Sequence, residues 1–157
     1  MKSLNLLILL AVCFVQASRT SPRPAIFVAS TPCDMIPRTM LSIPANADCE
    51  FIKWNLTLQR DPPNQAPTLY KLSYTYGMTQ PGTMGFCNGG TSLTKAGNWV
   101  IRKDAKNKDT YQLNSDTPET SLSFASLDDN LLHLLDPQGK LMIGHGGWSY
   151  TLNRTTD

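Results

Sequence analysis

Residues 51–58 read Phe-Ile-Lys-Trp-Asn-Leu-Thr-Leu, and residues 70–76 read Tyr-Lys-Leu-Ser-Tyr-Thr-Tyr. In both stretches large apolar or aromatic residues alternate with polar ones, and a period of two places each set on one face of a β-strand. The faces that we expect to be buried carry Ile52, Trp54, Leu56 and Leu58 in the first strand and Tyr70, Leu72, Tyr74 and Tyr76 in the second. Asp61-Pro62-Pro63-Asn64 breaks the pattern between them. We therefore predict two neighbouring half-buried strands joined by a proline-rich loop.

Shorter strands separated by turn signals extend this pattern toward the C-terminus. Residues 77–90 are rich in glycine and proline, which predicts a long loop. We expect later strands over 91–102 with a bend at Gly97, over 111–113, 122–124, 127–135 and 141–143, and a last strand with Trp148, Tyr150 and Leu152 on one face. The leucine-rich run 127–135 also fits one or two helical turns. Its length and the turn Asp136-Pro137-Gln138-Gly139 favour a strand that enters a hairpin.

The spacing of these elements predicts the fold class. Toward the N-terminus, folding starts near Ile26, and residues 34–41 predict a short helical turn with Pro37 near its start. Short strands at regular spacing, without long helices between them, favour an all-β antiparallel meander, closed as a barrel or packed as a sandwich. We expect one domain over 26–157, preceded by a flexible polar lead-in at 18–25.

Residues 1–17 have the pattern of a secretory signal peptide. Lys2 supplies the positive start, residues 6–15 form a short apolar core, and Val15-Gln16-Ala17 offers the small-residue cleavage pattern, which places the cut before Ser18. The apolar core is too short to span a bilayer. The alternative is a lipid anchor at Cys13, but Val12 is bulky where a lipoprotein signal has a small residue. We therefore expect an exported chain, periplasmic or extracellular, and favour simple cleavage over lipidation.

The charge of the chain argues against two classes of partner. The sequence has 14 basic and 12 acidic residues, and removal of the signal takes away only Lys2, which leaves a net charge near +1. A chain this close to neutrality is a poor candidate for binding nucleic acid or an anionic membrane surface. No other apolar stretch is long enough for a transmembrane span, and we expect none in the mature chain.

Three cysteines remain after cleavage, and an odd number in an oxidising compartment predicts one disulfide and one free thiol. We favour a bridge between Cys33 and Cys49, which would staple the N-terminal segment to the first long strand. Pairing of Cys49 with Cys87 is the alternative. No histidine or cationic cluster flanks Cys87 in the sequence, so we expect that thiol to be a buried small apolar group rather than a reactive one.

Several short motifs occur in the order and spacing of a known family. They are Asn46-Ala47-Asp48-Cys49, Trp54-Asn55-Leu56-Thr57-Leu58, Tyr74-Thr75-Tyr76, Gly97-Asn98-Trp99, Leu127-Asp128-Asp129-Asn130-Leu131-Leu132-His133-Leu134-Leu135-Asp136 and Tyr150-Thr151-Leu152. Over about residues 44–153 the chain resembles the N-terminal domain of the NlpE copper-resistance lipoproteins. The resemblance implies a small lipocalin-like β-barrel, closed or partly open, in the bacterial cell envelope, associated with surface or copper stress. Asn46 stands where family members often carry the first cysteine of Cys-Ala-Asp-Cys.

Three functional hypotheses follow, and we favour the first. It is a non-enzymatic envelope protein that binds or senses a small apolar ligand or a protein partner, with no cofactor. The candidates for the lining of its pocket are the aromatic residues of the inward faces, Trp54, Tyr70, Tyr74, Trp99, Trp148 and Tyr150. The second hypothesis is the handling of copper or another soft metal through Cys49, Cys33 and methionines. The third is a hydrolase whose site assembles only in space, since no Gly-x-Ser-x-Gly elbow is present.

Overall fold

Eight antiparallel strands follow one another around a closed barrel in the computed structural model, which describes residues 23–114 and 120–156. They are β1 (Ala25–Pro32), β2 (Phe51–Arg60), β3 (Pro67–Gly77), β4 (Thr91–Lys103), β5 (Asp109–Leu113), β6 (Leu122–Ser126), β7 (Leu131–Leu134) and β8 (Thr151–Arg154). One helix, α1 (Met35–Leu41), joins β1 to β2, and a short 3-10 turn spans Cys87–Gly89. The predicted all-β antiparallel barrel is confirmed. The predicted signal peptide at 1–17 lies outside the described residues.

Each strand pairs with the next along the chain, and the barrel closes because β1 also pairs with β8. The closing ladder is short, with Phe27 opposite Arg154 and Val28 opposite Asn153, whereas β1 pairs with β2 over its whole length. The strand β4 changes partner from β3 to β5 between Asn98 and Trp99. Gly97 precedes this point, and a Cβ atom there would lie 3.1 Å from the Tyr70 ring and 3.3 Å from the Asn114 carbonyl oxygen.

The apolar face predicted for each long strand forms the interior of the barrel. The buried residues of this core include Ile52, Trp54, Leu56 and Leu58 from β2, Tyr70, Leu72, Tyr74 and Tyr76 from β3, Trp99 from β4, and Leu113, Leu122, Phe124, Leu132, Leu134 and Leu152 from the shorter strands. One polar side chain lies among them, since Thr31 is fully buried and its hydroxyl accepts a hydrogen bond from Trp54 Nε1 at 2.8 Å. That bond satisfies an indole N–H that would otherwise be costly to bury.

The helix α1 lies against the end of the barrel at which β1 finishes and β2 starts. Met40, Leu41 and Ile43 are buried in the common core. The Tyr74 hydroxyl donates to the Leu41 carbonyl at 2.7 Å, and Lys95 Nζ donates to the Met40 carbonyl at 3.2 Å. Burial raises the pKa of Tyr74 and lowers that of Lys95. A helix of seven residues is too short to be stable alone, so these contacts and its apolar face hold it in place.

The structure departs from the predicted elements in the connections. Residues 141–143 do not form a strand, since Leu141 makes only an isolated bridge with Leu135. The last strand begins at Thr151 rather than at Trp148, because Trp148 forms a separate bridge with His145. The predicted loop 77–90 contains regular structure. Its first residue, Gly77, still belongs to β3, and an isolated β-bridge links residues 79 and 86 before the 3-10 turn.

Within the described ranges, no helix is both long and apolar enough to span a bilayer.

Candidate functional site

A pocket of about 370 Å³ opens at the end of the barrel opposite α1, where β1 begins and β2 and β8 finish. Its lining combines an apolar floor with charged and polar side chains. The lining residues are Arg23, Ala25, Phe27, Leu58, Arg60, Gln65, Trp99, Tyr111, Asp129 and Arg154. We call this the end pocket. Its volume lies near the lower limit of pockets that hold small molecules.

The three arginines of the end pocket continue the inward alternation of three neighbouring strands. In β2 the inward set runs through Leu56 and Leu58, and the next position of that face is Arg60. In β8 it passes from Leu152 to Arg154, and before β1 Arg23 precedes inward-facing residues at 25 and 27 by the same spacing. Since β8, β1 and β2 are adjacent in the barrel, the period of two brings all three guanidinium groups to one opening.

The side chain of Arg60 is held over an aromatic pair. Its Cζ lies 4.7 Å from the centroid of the Trp99 ring and 5.8 Å from that of Tyr111, both within cation–π range. Arg60 Nη1 donates to the Gln65 carbonyl at 2.9 Å, and Nη2 donates to the Tyr111 hydroxyl at 3.3 Å. Trp99 is itself fixed, because its Nε1 donates to the Gln59 carbonyl at 2.8 Å. The guanidinium is therefore positioned by the fold before any ligand arrives.

An irregularity in the β2–β3 ladder leaves the Gln59 carbonyl free to accept the hydrogen bond from Trp99 Nε1. Leu58 pairs with Tyr70, but Arg60 pairs with Pro67, so that two steps along β2 match three along β3. Such a bulge interrupts the regular ladder and re-aims the side chains beside it. Pro67 suits the first position of β3 because proline has no N–H to donate to the ladder.

None of the three guanidinium groups forms an ion pair with a carboxylate of residues 23–114 or 120–156. In the described part of the chain, Lys103 and Asp109 form the one ion pair, with Nζ 2.6 Å from Oδ1. Arg154 Nη1 contacts the backbone carbonyl of Asp129 at 3.4 Å, whereas the Asp129 carboxylate is more than 4.0 Å from every guanidinium nitrogen of the described arginines. Uncompensated guanidinium groups that converge on one opening form a site for an anion, since arginine recognises carboxylate and phosphate through paired N–H donors.

The predicted disulfide is confirmed. Cys33 and Cys49 are bonded, with Cα atoms 5.8 Å apart. Cys87 is free, but the prediction that it would be buried is wrong: it is exposed in the 3-10 turn, where its Sγ lies 3.4 Å from the Thr79 carbonyl oxygen. This loop position leaves the thiol outside the core.

The Cys33–Cys49 disulfide determines whether these two sulfur atoms can bind a soft metal ion. A thiolate is the form that binds copper, and in the disulfide neither sulfur is a thiolate. Of the methionines, Met40 and Met142 are buried in the core, while Met35 and Met84 are exposed on separate connections. No group of three or more His, Cys, Asp or Glu side chains able to hold a metal occurs among residues 23–114 and 120–156. The residues in this oxidised arrangement do not fit a copper ion.

Five of the six aromatic residues proposed as pocket lining lie in the packed core, namely Trp54, Tyr70, Tyr74, Trp99 and Tyr150. Among the six, Trp99 lines the end pocket. The inward orientation predicted for Trp148 is wrong: this side chain is 43% exposed and packs against Phe51 with ring centroids 4.2 Å apart. The Tyr150 hydroxyl donates to the Asp34 carboxylate, and burial together with this carboxylate raises the pKa of Tyr150.

One side-chain pair has the elements of a nucleophile and a base. His133 Nδ1 lies 2.9 Å from Thr151 Oγ1, and His133 Nε2 lies 2.7 Å from the Met142 carbonyl oxygen. Since a carbonyl only accepts, Nε2 carries the proton and Nδ1 accepts from the hydroxyl in the neutral form. The two residues pair across β7 and β8 on the outer face of the barrel, and neither lines the end pocket. The arrangement is that of a cross-strand structural pair.

The residues that give the end pocket its charge are not among those predicted from the sequence; they are Arg23, Arg60 and Arg154. The sequence does contain a pattern that indicates them. Arg60 and Arg154 follow an inward-facing residue by two positions at the end of a strand, and Arg23 precedes one by two positions at the start of a strand. A cation that continues an apolar alternation marks the point where the buried face reaches solvent. Recognising that these three ends meet required the strand order.

Comparison with models of protein families identifies the family of the chain. The family model described as the NlpE N-terminal domain matches residues 42–145, about two thirds of the chain. Searches of the curated proteins and of the solved structures found no match. The matched segment contains β2 to β7 and thus most of the barrel. Together with the fold, this match supports an NlpE-like envelope protein, and the chain belongs to the NlpE N-terminal domain family.

Proposed function

We propose that this chain is an exported, non-enzymatic envelope protein that binds a small anionic ligand in the end pocket. Its export rests on the signal pattern of residues 1–17 and on the family. The anionic character of the ligand follows from one observation: three arginine side chains, none paired with a carboxylate of the described residues, converge on one opening of the barrel. A link to envelope stress is what the family resemblance predicts, and ligand capture would be its input.

The shape of the site supports a compact ligand. The large inward side chains fill the barrel with a contiguous core that includes Phe27, Leu58 and Trp99 below the pocket. A ligand therefore binds at the mouth, with its charged group among the guanidinium groups and any apolar part against this floor. Arg60 contributes most, since its orientation is fixed on Trp99 and the residue is half-buried, which reduces both the entropy lost on ordering the side chain and the screening by solvent.

The test is a titration of the mature protein with inorganic phosphate, followed by NMR at the Trp99 Nε1–H resonance. We expect a saturable shift, a Kd that rises with ionic strength, and a Kd about tenfold higher in Arg60→Gln, because a charge-assisted contact to an anion contributes about 1.5 kcal/mol or more. Arg102→Gln is the matched control, since Arg102 is exposed on β4 and does not line the end pocket.

The outcomes separate a site from a general charge effect. Unchanged affinity in Arg102→Gln with weaker binding in Arg60→Gln supports the proposal. Equal loss in both variants would mean that phosphate responds only to net charge, and the proposal would be wrong. A Trp99 resonance that does not move in either the wild type or the variants would also refute it.

A further inference from the structure

Asp129 gives the end pocket a second kind of binding group. It lies in the connection between β6 and β7 and lines the same opening as the arginines. Its carboxylate makes no hydrogen bond or ion pair with any residue in 23–114 or 120–156. This acidic side chain lines the same pocket as three arginines but forms no ion pair with them, so its carboxylate is available to a ligand.

The backbone of this connection explains why the carboxylate stays apart. Asn130 N donates to Asp128 Oδ1 at 2.7 Å, and Leu127 N donates to the Leu131 carbonyl at 3.0 Å. Arg154 is attached to the same turn through its backbone N, which donates to the Asn130 carbonyl at 2.8 Å. The turn thus fixes the Cα of Asp129 relative to β8, and the Arg154 guanidinium is directed at the backbone carbonyl of Asp129 rather than at its carboxylate.

A simple anion satisfies only part of this arrangement. Bound among the arginines, it places its negative charge close to the Asp129 carboxylate, and two like charges at such a distance repel. A ligand that carries an ammonium group a few ångströms from its anionic group pairs with both kinds of charge. Its anionic group faces the guanidinium groups, and its ammonium group faces the Asp129 carboxylate. The ammonium also has three N–H donors for a carboxylate that has no donor of its own in the described chain.

We infer that the end pocket selects a small zwitterion, with the anionic group on the arginines and the ammonium on Asp129. This inference rests on the proposed function, since it deepens the chemistry of the same pocket. The anionic group is a carboxylate, as in an amino acid, or a phosphate ester, as in a polar headgroup. The N–H groups of the arginines can donate to either one. The distinguishing feature is the adjacent positive charge.

The test uses probes that differ only in the ammonium group. β-Alanine is compared with propanoate, and O-phosphoethanolamine with ethyl phosphate, each titrated against the mature protein with the Trp99 Nε1–H resonance as the readout. We expect each zwitterion to bind about three- to fivefold tighter than its plain anion, the effect of one partly exposed ion pair. The pair with the lower Kd identifies the anionic group that the pocket prefers.

Two variants assign the preference to Asp129. In Asp129→Asn the preference should disappear because plain anions bind more tightly and zwitterions less tightly. In the control Asp48→Asn, which makes the same charge change in the α1–β2 connection at the other end of the barrel, the preference should persist.

The possible results distinguish the two proposals. Equal affinity for zwitterion and plain anion in the wild type overturns the zwitterion inference without any variant. A preference that survives in Asp129→Asn overturns it as well. If Arg60→Gln still weakens propanoate or ethyl phosphate in these cases, anion binding stands; if none of the four probes moves the Trp99 resonance, both proposals fail.

Discussion

Replacement of both Cys33 and Cys49 by alanine should lower the free energy of unfolding by about 3 kcal/mol. The bond joins residues separated by 16 positions, and a closed loop of that length removes about 10 cal/mol/K of entropy from the unfolded chain, or about 3 kcal/mol at room temperature. Alanine is the suitable substitute at Cys33, because this position is buried and a serine hydroxyl there would add a desolvation cost. The loss is a large part of the stability of a small domain.

Urea denaturation followed by tryptophan fluorescence measures this loss, with Cys87→Ala as the control. Since Cys87 is free and exposed, its substitution should change stability by less than about 0.5 kcal/mol. The wild type with its disulfide reduced should behave as the double variant does. A loss below about 1 kcal/mol in the double variant, with no effect of the reductant on the wild type, would refute the reasoning that the bond acts by restricting the unfolded chain.

The remaining predictions concern the core and one pH-dependent contact. Thr31→Val should cost about 1–3 kcal/mol in urea denaturation because it leaves the buried Trp54 indole N–H without its acceptor; a neutral result would show that another acceptor replaces it. Leu56→Ala, at a fully buried position, should cost about 2–5 kcal/mol by calorimetry, and a cost below 1 kcal/mol would contradict the close packing of the barrel. Hydrogen bonds from Thr79 lower the pKa of Glu50 below its ordinary 4.5, so the stabilisation that they provide is complete above about pH 4.5 and is lost as the pH falls through the lower folded value. The Thr79 amide resonance should titrate with a midpoint below 4.5 in the wild type and remain flat in Glu50→Gln; a midpoint at or above 4.5 would rule this contact out in solution.

The alternation of residues predicts most of the barrel, because strand periodicity is a local property. The inward sets of β2 and β3 follow directly from the sequences around Trp54 and Tyr74, and both sets are buried. The region after residue 135 is harder to predict. Its short apolar runs fit strands, but the structure uses them in isolated bridges around Leu141 and Trp148. Pairing there depends on which neighbours lie opposite, and the sequence does not contain that information locally.

The candidate site depends even more on topology. Trp99 was identified because aromatic residues on inward faces are visible in the sequence, but Arg60 and Arg154 are separated by most of the chain. They meet because β8 and β2 both flank β1. The sequence favours Cys33 as the partner of Cys49 because this bridge staples the N-terminal segment to the first long strand, and the structure places the two Cα atoms 5.8 Å apart, within the range of a disulfide.

The short ladder that joins β1 to β8 limits how far the protein can be truncated for expression. Both strands fall outside the matched residues 42–145. A fragment limited to that span would leave β2 and β7 as open edges, with unpaired backbone N–H and C=O groups exposed along their length. Such edges pair readily with those of other molecules, so we expect this fragment to associate or aggregate. It would also separate Cys49 from Cys33 and leave an additional free thiol. The unit that folds therefore extends beyond the family match on both sides, and residues 23–156 include every strand of the closed barrel.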